Sequence, residues 1–334
     1  LKISSQYLFQ DLSWVELRCE LLENGEIIQE EIIPDLIILP RDSREITLPL
    51  DFDMFSEIST LKKGAEYFIT LRFLLKKDMD WAPKGHQIAC DQYKDPINSP
   101  KIEKAYEEIP NFNVVSITKN DDSEIIITGT NQNGEFSVKF NKNEGTLKSY
   151  YINGENLITS PPKPNLWRAP TENDKAGQME MLFGYFHPDY IKEFKATPEI
   201  NVEQLNKAEV KVTILENMPS GDDIDDKGNL KPWRIEYSIF GNGSMKIENF
   251  FEITDVAPRF GMQMKIPRKF NNMKWYGNGP HETYWDRKWS GILGIYEGKV
   301  EELIHDYVVP QENSNRTDVR WCKLLNENNE GLLV

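Results

Sequence analysis

Alternation of apolar and polar residues dominates the chain. In Val15-Glu-Leu-Arg-Cys-Glu-Leu21, the side chains of Val15, Leu17, Cys19 and Leu21 share one face and polar residues take the other. This two-residue period marks a strand buried on one side. Asn24-Gly25 follows, a pair suited to the positive φ of a tight turn, and residues 27–33 return as the second arm of a hairpin. Further strands are predicted at 45–50 and 67–75. Short strands with turn residues every ten or so positions predict an all-β fold, and residues 1–95 fit an immunoglobulin-like sandwich.

The pattern breaks where Pro96, Pro100 and Pro110 bracket the charged stretch 101–108, so residues 96–110 read as a linker. Strands resume at 114–118, 124–128 and 135–141, then at 208–216, 233–240, 245–254 and 261–267. Gly241-Asn-Gly243 joins two of them as a tight hairpin. Only residues 188–195 read as a helix, with Pro188 near its start. Residues 111–334 are therefore expected to form a second, larger antiparallel β-sandwich. A strand just beginning at 330–334, and a start without Met, are read as a chain cut from a longer one.

Composition removes several functions. The 39 Lys+Arg against 54 Asp+Glu give a net charge of −15, and no basic run exceeds two residues, which argues against nucleic acid and an anionic membrane surface. No apolar run approaches the ~18 residues of a membrane span. Cys19, Cys90 and Cys322 are scattered and form no disulfide framework or zinc motif. In the stretch 222–228, Asp223 and Asp225 have calcium-loop spacing, but Lys227 takes a ligand position and Arg234 stands where the closing Glu is needed, so it reads as a solvated hairpin tip.

Three polar-aromatic signatures carry the candidate chemistry. In Asn165-Leu-Trp-Arg-Ala-Pro-Thr-Glu-Asn-Asp174, prolines fix an extended path. Trp167 and Arg168 are residue types that contact sugars, with Glu172, Asn173 and Asp174 beside them. The alternative is a stiff loop whose Arg and Asp satisfy each other. In Trp275-Tyr-Gly-Asn-Gly-Pro-His-Glu-Thr-Tyr-Trp-Asp-Arg-Lys288, Gly277 and Gly279 permit positive φ or close backbone approach, and Pro280 can open a helical turn. His281, Glu282, Asp286 and Arg287 form a dense cluster, either an acid/base pair or a turn closed by an ion pair. In Pro310-Gln-Glu-Asn-Ser-Asn-Arg-Thr-Asp-Val-Arg-Trp321, alternation places Arg316, Asp318 and Arg320 on one strand face and Thr317, Val319 and Trp321 on the other. Glu312 and Asn313 lie in the polar loop before it.

Together and in this order, the signatures resemble the C-terminal region of the large β-galactosidases of glycoside hydrolase family 2. Tyr7-Leu-Phe9 and Trp81-Ala-Pro-Lys-Gly-His86 resemble the ends of that family's fourth domain, and residues from about 111 onward its fifth, a sandwich related to galactose mutarotases. Two departures stand out. Ala176 and Ser314 occupy positions where the family usually has glycine. The resemblance implies a parent enzyme that hydrolyses terminal β-D-galactosides with retention, using two glutamates in an upstream barrel of the same polypeptide. It also implies Mg and Na or K at sites mainly upstream, no metal site or catalytic residue here, and a homo-oligomer as one assembly. Other readings are a stand-alone carbohydrate-binding module, which calls for an exposed Trp platform, and a mutarotase-like epimerase. Of His86, His187, His281 and His305, only His281 sits in a cluster suited to the latter.

Overall fold

A computed structural model describes residues 1–51, 62, 64–94, 113–187, 198–217, 232–251 and 257–334. The expected linker at 96–110, the expected helix at 188–195 and the carboxylate-rich stretch 222–228 lie outside the described residues.

The N-terminal part contains β1 (Lys2–Ser4), β2 (Val15–Glu23), β3 (Glu26–Ile33), β4 (Ser43–Glu45), β5 (Tyr67–Leu75) and β6 (Gln87–Lys94). Four of these form an antiparallel sheet in the order β3-β2-β5-β6, and β1 pairs with β4. Val15, Leu17, Cys19 and Leu21 are fully buried, so the face read from the alternation is the core face. Leu36, Ile38 and Leu50 pack in the same core, each such aliphatic side chain contributing about 1.5–3 kcal/mol when fully buried. Asn24 (φ 52°) and Gly25 (φ 84°) close the β2–β3 hairpin in the left-handed region. The strand expected at 45–50 is displaced: β4 ends at Glu45 because β1 offers three partners. Leu1 and Ile46 exchange one last pair of backbone bonds, and the chain then carries Leu50 into the core without a ladder.

The C-terminal part begins with a meander of β7 (Val115–Asn120), β8 (Glu124–Asn131), β9 (Gly134–Asn141), β10 (Thr146–Ile152) and β11 (Glu155–Asn156). β12 (Ser160–Asn165) leads to two short helices, α1 (Glu172–Ala176) and α2 (Met179–Phe183). A second sheet follows, made of β13 (Glu199–Asn206), β14 (Glu209–Asn217), β15 (Pro232–Phe240) and β16 (Met245–Phe250). The two sheets share one core. Phe136, Val138 and Phe140 of the meander meet Val212, Trp233 and Tyr237 of the second sheet, and the Phe140 and Tyr237 rings touch edge to face at 5.1 Å. The fold is an all-β sandwich.

β17 (Gly261–Lys265) pairs with β12. The last sheet has the order β19-β18-β20-β21 and contains β18 (Asn272–Gly279), β19 (Ile292–Lys299), β20 (Trp321–Leu325) and β21 (Gly331–Leu333). It meets the N-terminal sheet at a small apolar seam of Leu22, Phe68, Tyr276 and Leu293. Polar contacts close the seam. The Gln92 amide donates to the Leu293 carbonyl (2.8 Å) and accepts from the Leu293 N–H (2.9 Å). Arg320 donates twice to Glu66, at 2.8 and 3.0 Å, while its guanidinium lies over the Tyr276 ring.

Candidate functional site

The first signature is held by one ion pair. The prolines keep Ser160–Asn165 extended as β12, and the chain then turns into α1, so Glu172, Asn173 and Asp174 are helical. Thr171 is the N-cap. Its hydroxyl accepts from the Asp174 N–H (3.1 Å), and Asp174 accepts from the Thr171 N–H (3.0 Å) in a reciprocal box. Asp174 also accepts two hydrogen bonds from Arg168, at 2.9 and 2.7 Å, the planar fork that fixes both side chains. Burial works against the Asp174 charge, but these donors outweigh it and hold the carboxyl below its usual range. Trp167 is buried in the sandwich core with its ring edge-on to His187 at 5.3 Å, whereas Glu172 and Asn173 are exposed.

The second signature is mostly strand. Gly277 and Gly279 lie in β18 at ordinary negative φ, and what they provide is space: a Cβ on Gly277 would stand 2.9 Å from the Val319 backbone, and one on Gly279 would stand 2.6 Å from the Tyr296 ring. Pro280 opens no helical turn. His281 and Glu282 diverge. The imidazole faces Ser290 at 2.8 Å in solvent, while buried Glu282 accepts from Arg287, from the Tyr307 hydroxyl and from the Ser314 N–H. Burial raises the Glu282 carboxyl, yet Tyr307, Arg287 and Ser314 together bring it below its normal value. The pair is therefore not arranged as an acid/base couple. Asp286 is exposed.

The third signature departs from the expected alternation. The strand begins only at Trp321, because Asp318 (φ 53°) is left-handed and turns the chain. Asn278 Nδ2 (2.8 Å) and Lys288 Nζ (3.1 Å) hold its carboxylate. Arg316 and Arg320 thus part company: Arg320 joins the seam to Glu66, and Arg316 stacks on Trp275 at 4.8 Å. Burial pushes the Arg316 guanidinium pKa down, and its Nε is one of the buried polar atoms without a hydrogen-bond partner, as is the Tyr284 hydroxyl. Ser314 keeps a positive φ of 66° without glycine; its hydroxyl donates to the Leu303 carbonyl at 2.6 Å. The Asn313 side chain accepts from the same hydroxyl at 2.8 Å.

The three segments converge. Gln311 accepts from the Glu172 N–H (3.3 Å), tying the third signature to α1. Glu312 pairs with Arg259, whose own N–H donates to the Leu166 carbonyl of the first. The hydrogen bond to Asp174 raises the Arg168 pKa against burial, with the Asp174 and Glu312 charges adding to it. Tyr284 is pushed up to about 12 by burial, with Glu282 and Glu312 adding to it. Arg168 and Asp174, Glu282 and Arg287, and Glu312 thus form one polar cluster drawn from all three signatures. Tyr284 and Gln311, from within the second and third signatures, complete it together with Arg259 and Tyr307, which lie outside all three. Two surface depressions of about 530 and 610 Å³ lie on the β8–β10 face and beside β4, and neither is lined by a signature residue.

Residues 132–333 match the family model described as β-galactosidase small chain. The chain belongs to the β-galactosidase small-chain family. Residues 1–95 match a second model, that of β-galactosidase domain 4. Among curated relatives, a β-galactosidase of Priestia megaterium is 28% identical over 99% of this chain and 30% of its own length. One from Halalkalibacterium halodurans is 30% identical over 99% of the chain and 31% of its length. One from Streptococcus thermophilus is 28% identical over 99% and 29%. The chain therefore spans about 30% of the length of these relatives.

Proposed function

We propose that this chain is the non-catalytic C-terminal part of a glycoside hydrolase family 2 β-galactosidase that cleaves terminal non-reducing β-D-galactosides with retention. In this reading the two reacting carboxylates stand in a barrel elsewhere in the same polypeptide. The polar cluster drawn from the three signatures helps to wall the sugar pocket. The observation that carries the reading is that convergence: Gln311 accepts from the Glu172 N–H, and Glu312 pairs with Arg259, whose own N–H donates to the Leu166 carbonyl, in a chain of this family.

The chain's own groups suit positioning. Arg168, whose Nε and Nη2 are held by Asp174, keeps its Nη1 donor in a preset position, and a preset donor orders substrate without reorganising. The magnesium and alkali ions implied by the resemblance do not fit here. Asp174, Glu282 and Glu312 are each committed to an arginine, and no group of three or more His, Cys, Asp or Glu converges among the described residues. Their ligands are assigned to the rest of the polypeptide.

The test is Arg168→Ala and Asp174→Ala in the full polypeptide, assayed on a chromogenic β-galactoside. Loss of one charged hydrogen bond, about 1.5–3 kcal/mol, predicts a roughly ten- to hundredfold fall in kcat/KM. Wild-type kinetics with only a lowered Tm would make the cluster structural. The chain alone should not turn over the same substrate.

A further inference from the structure

The loop between β18 and β19 holds an anomaly. Trp167, Trp233 and Trp275 are buried, the last two at 2% and 1% exposure, yet Trp285 and Trp289 are 84% and 94% exposed. The loop carrying them is firmly anchored. The buried Thr283 bonds to Asn315 and Thr317, and the Glu282–Arg287–Tyr307 bonds brace its far side. Exposed Val308 follows Tyr307, and exposed Val319 follows Asp318, whose carboxylate holds Lys288. The result is two exposed tryptophans on a firmly held loop, with exposed valines in the two segments bonded to it. The loop's cations, Arg287 and Lys288, are already matched by Glu282 and Asp318.

We infer that Trp285, Trp289, Val308 and Val319 form a docking surface for the remainder of the longer polypeptide. The inference rests on the reading above that this chain is one part of a larger enzyme. Apolar patches rimmed by matched charges mark interfaces, and tryptophan anchors dominate binding energy when a partner closes over them. The chain spans only about 30% of the length of its relatives, so most of such a protein lies outside this structure. The shape favours a protein partner over a sugar. Lys288 lies over the Trp285 ring at 4.7 Å, and Trp289 stands almost wholly clear of the surface. The patch also adjoins Glu282 and Arg287, so docking there seats the polar cluster against the partner.

Hydroxyl-radical footprinting of this chain alone and within the full polypeptide tests the inference. Oxidation of Trp285 and Trp289 is expected to be several-fold slower in the full polypeptide. Equal oxidation in both would overturn it. Protection of the isolated chain by lactose would overturn it in favour of a sugar platform. Protection that rises with the concentration of the isolated chain, with a dimer by light scattering, would overturn it in favour of a second copy. A β-galactoside assay on the same full-length sample separates the two proposals: activity without protection sinks the docking surface alone, and protection without activity sinks the proposed function alone.

Discussion

Replacing Glu66 with Gln isolates the ion pair that joins the N-terminal sheet to the third signature. Glu66 accepts from Arg320 at 2.8 and 3.0 Å, from Lys94 at 3.2 Å and from the Tyr276 hydroxyl at 3.3 Å. Led by Arg320 and opposed by burial, these contacts bring its carboxyl from 4.5 to about 2. With a tenfold change in proton affinity worth about 1.4 kcal/mol, that corresponds to roughly 3 kcal/mol in favour of the ionised form. The Glu66 and Arg320 side chains retain 23% and 33% exposure, and solvent screening reduces the net coupling to about 1–2 kcal/mol. Folding lowers this pKa, so the contribution is complete above the unfolded value of 4.5 and is lost as the pH falls from there toward 2. The assay is urea unfolding of the wild type, Glu66→Gln, Arg320→Gln and the double variant, at neutral pH and again between the two pKa values. The cycle should give the coupling above at neutral pH and a smaller one in acid. A coupling under about 0.5 kcal/mol at neutral pH, or one that does not change with acidification, would refute the reasoning.

Gly25→Ala should cost about 2–3 kcal/mol, because its φ of 84° is left-handed and the new Cβ would stand 2.6 Å from the Tyr276 ring. Gly85→Ala, at φ 82° with nothing within 4 Å, should show only the backbone part, about 1–2 kcal/mol, in the same urea titration. At Ser314, the Ala variant loses the bond to the Leu303 carbonyl while keeping the left-handed backbone, and should cost about 1 kcal/mol. Ser314→Gly relieves the backbone and should lie above Ser314→Ala in Tm; the reverse order would show that the φ of 66° carries no strain.

The all-β architecture was legible because strand alternation is a local signal. The β2–β3 hairpin shows this best, with its buried row at Val15, Leu17, Cys19 and Leu21 and its Asn24-Gly25 turn. The signature segments were legible as polar clusters, but their partners were not. Arg168–Asp174 could be guessed from spacing, whereas Glu312–Arg259 and Glu172–Gln311 depend on how the sheets bring distant loops together. The row at Arg316, Asp318 and Arg320 failed because alternation assumes extended backbone, and a left-handed Asp318 held by Asn278 and Lys288 leaves no trace in such a pattern. Helix α1 did leave one: Thr171 and Asp174 have the spacing of a capping box, overlooked behind Pro170.

The amide of Gln92 reads the main chain of Leu293, not its side chain, and it also donates to the hydroxyl of Thr70 at 2.9 Å. This sets a rule for chimeras. The identity of residue 293 is constrained only by the small apolar pocket it fills, whereas position 92 must offer a donor and an acceptor side by side. Glutamate there would face the 293 carbonyl with another acceptor. A module transplanted from a relative onto this frame would therefore register correctly only if it brought an amide at 92 and a carboxylate at 66, two features that no comparison of buried cores would select.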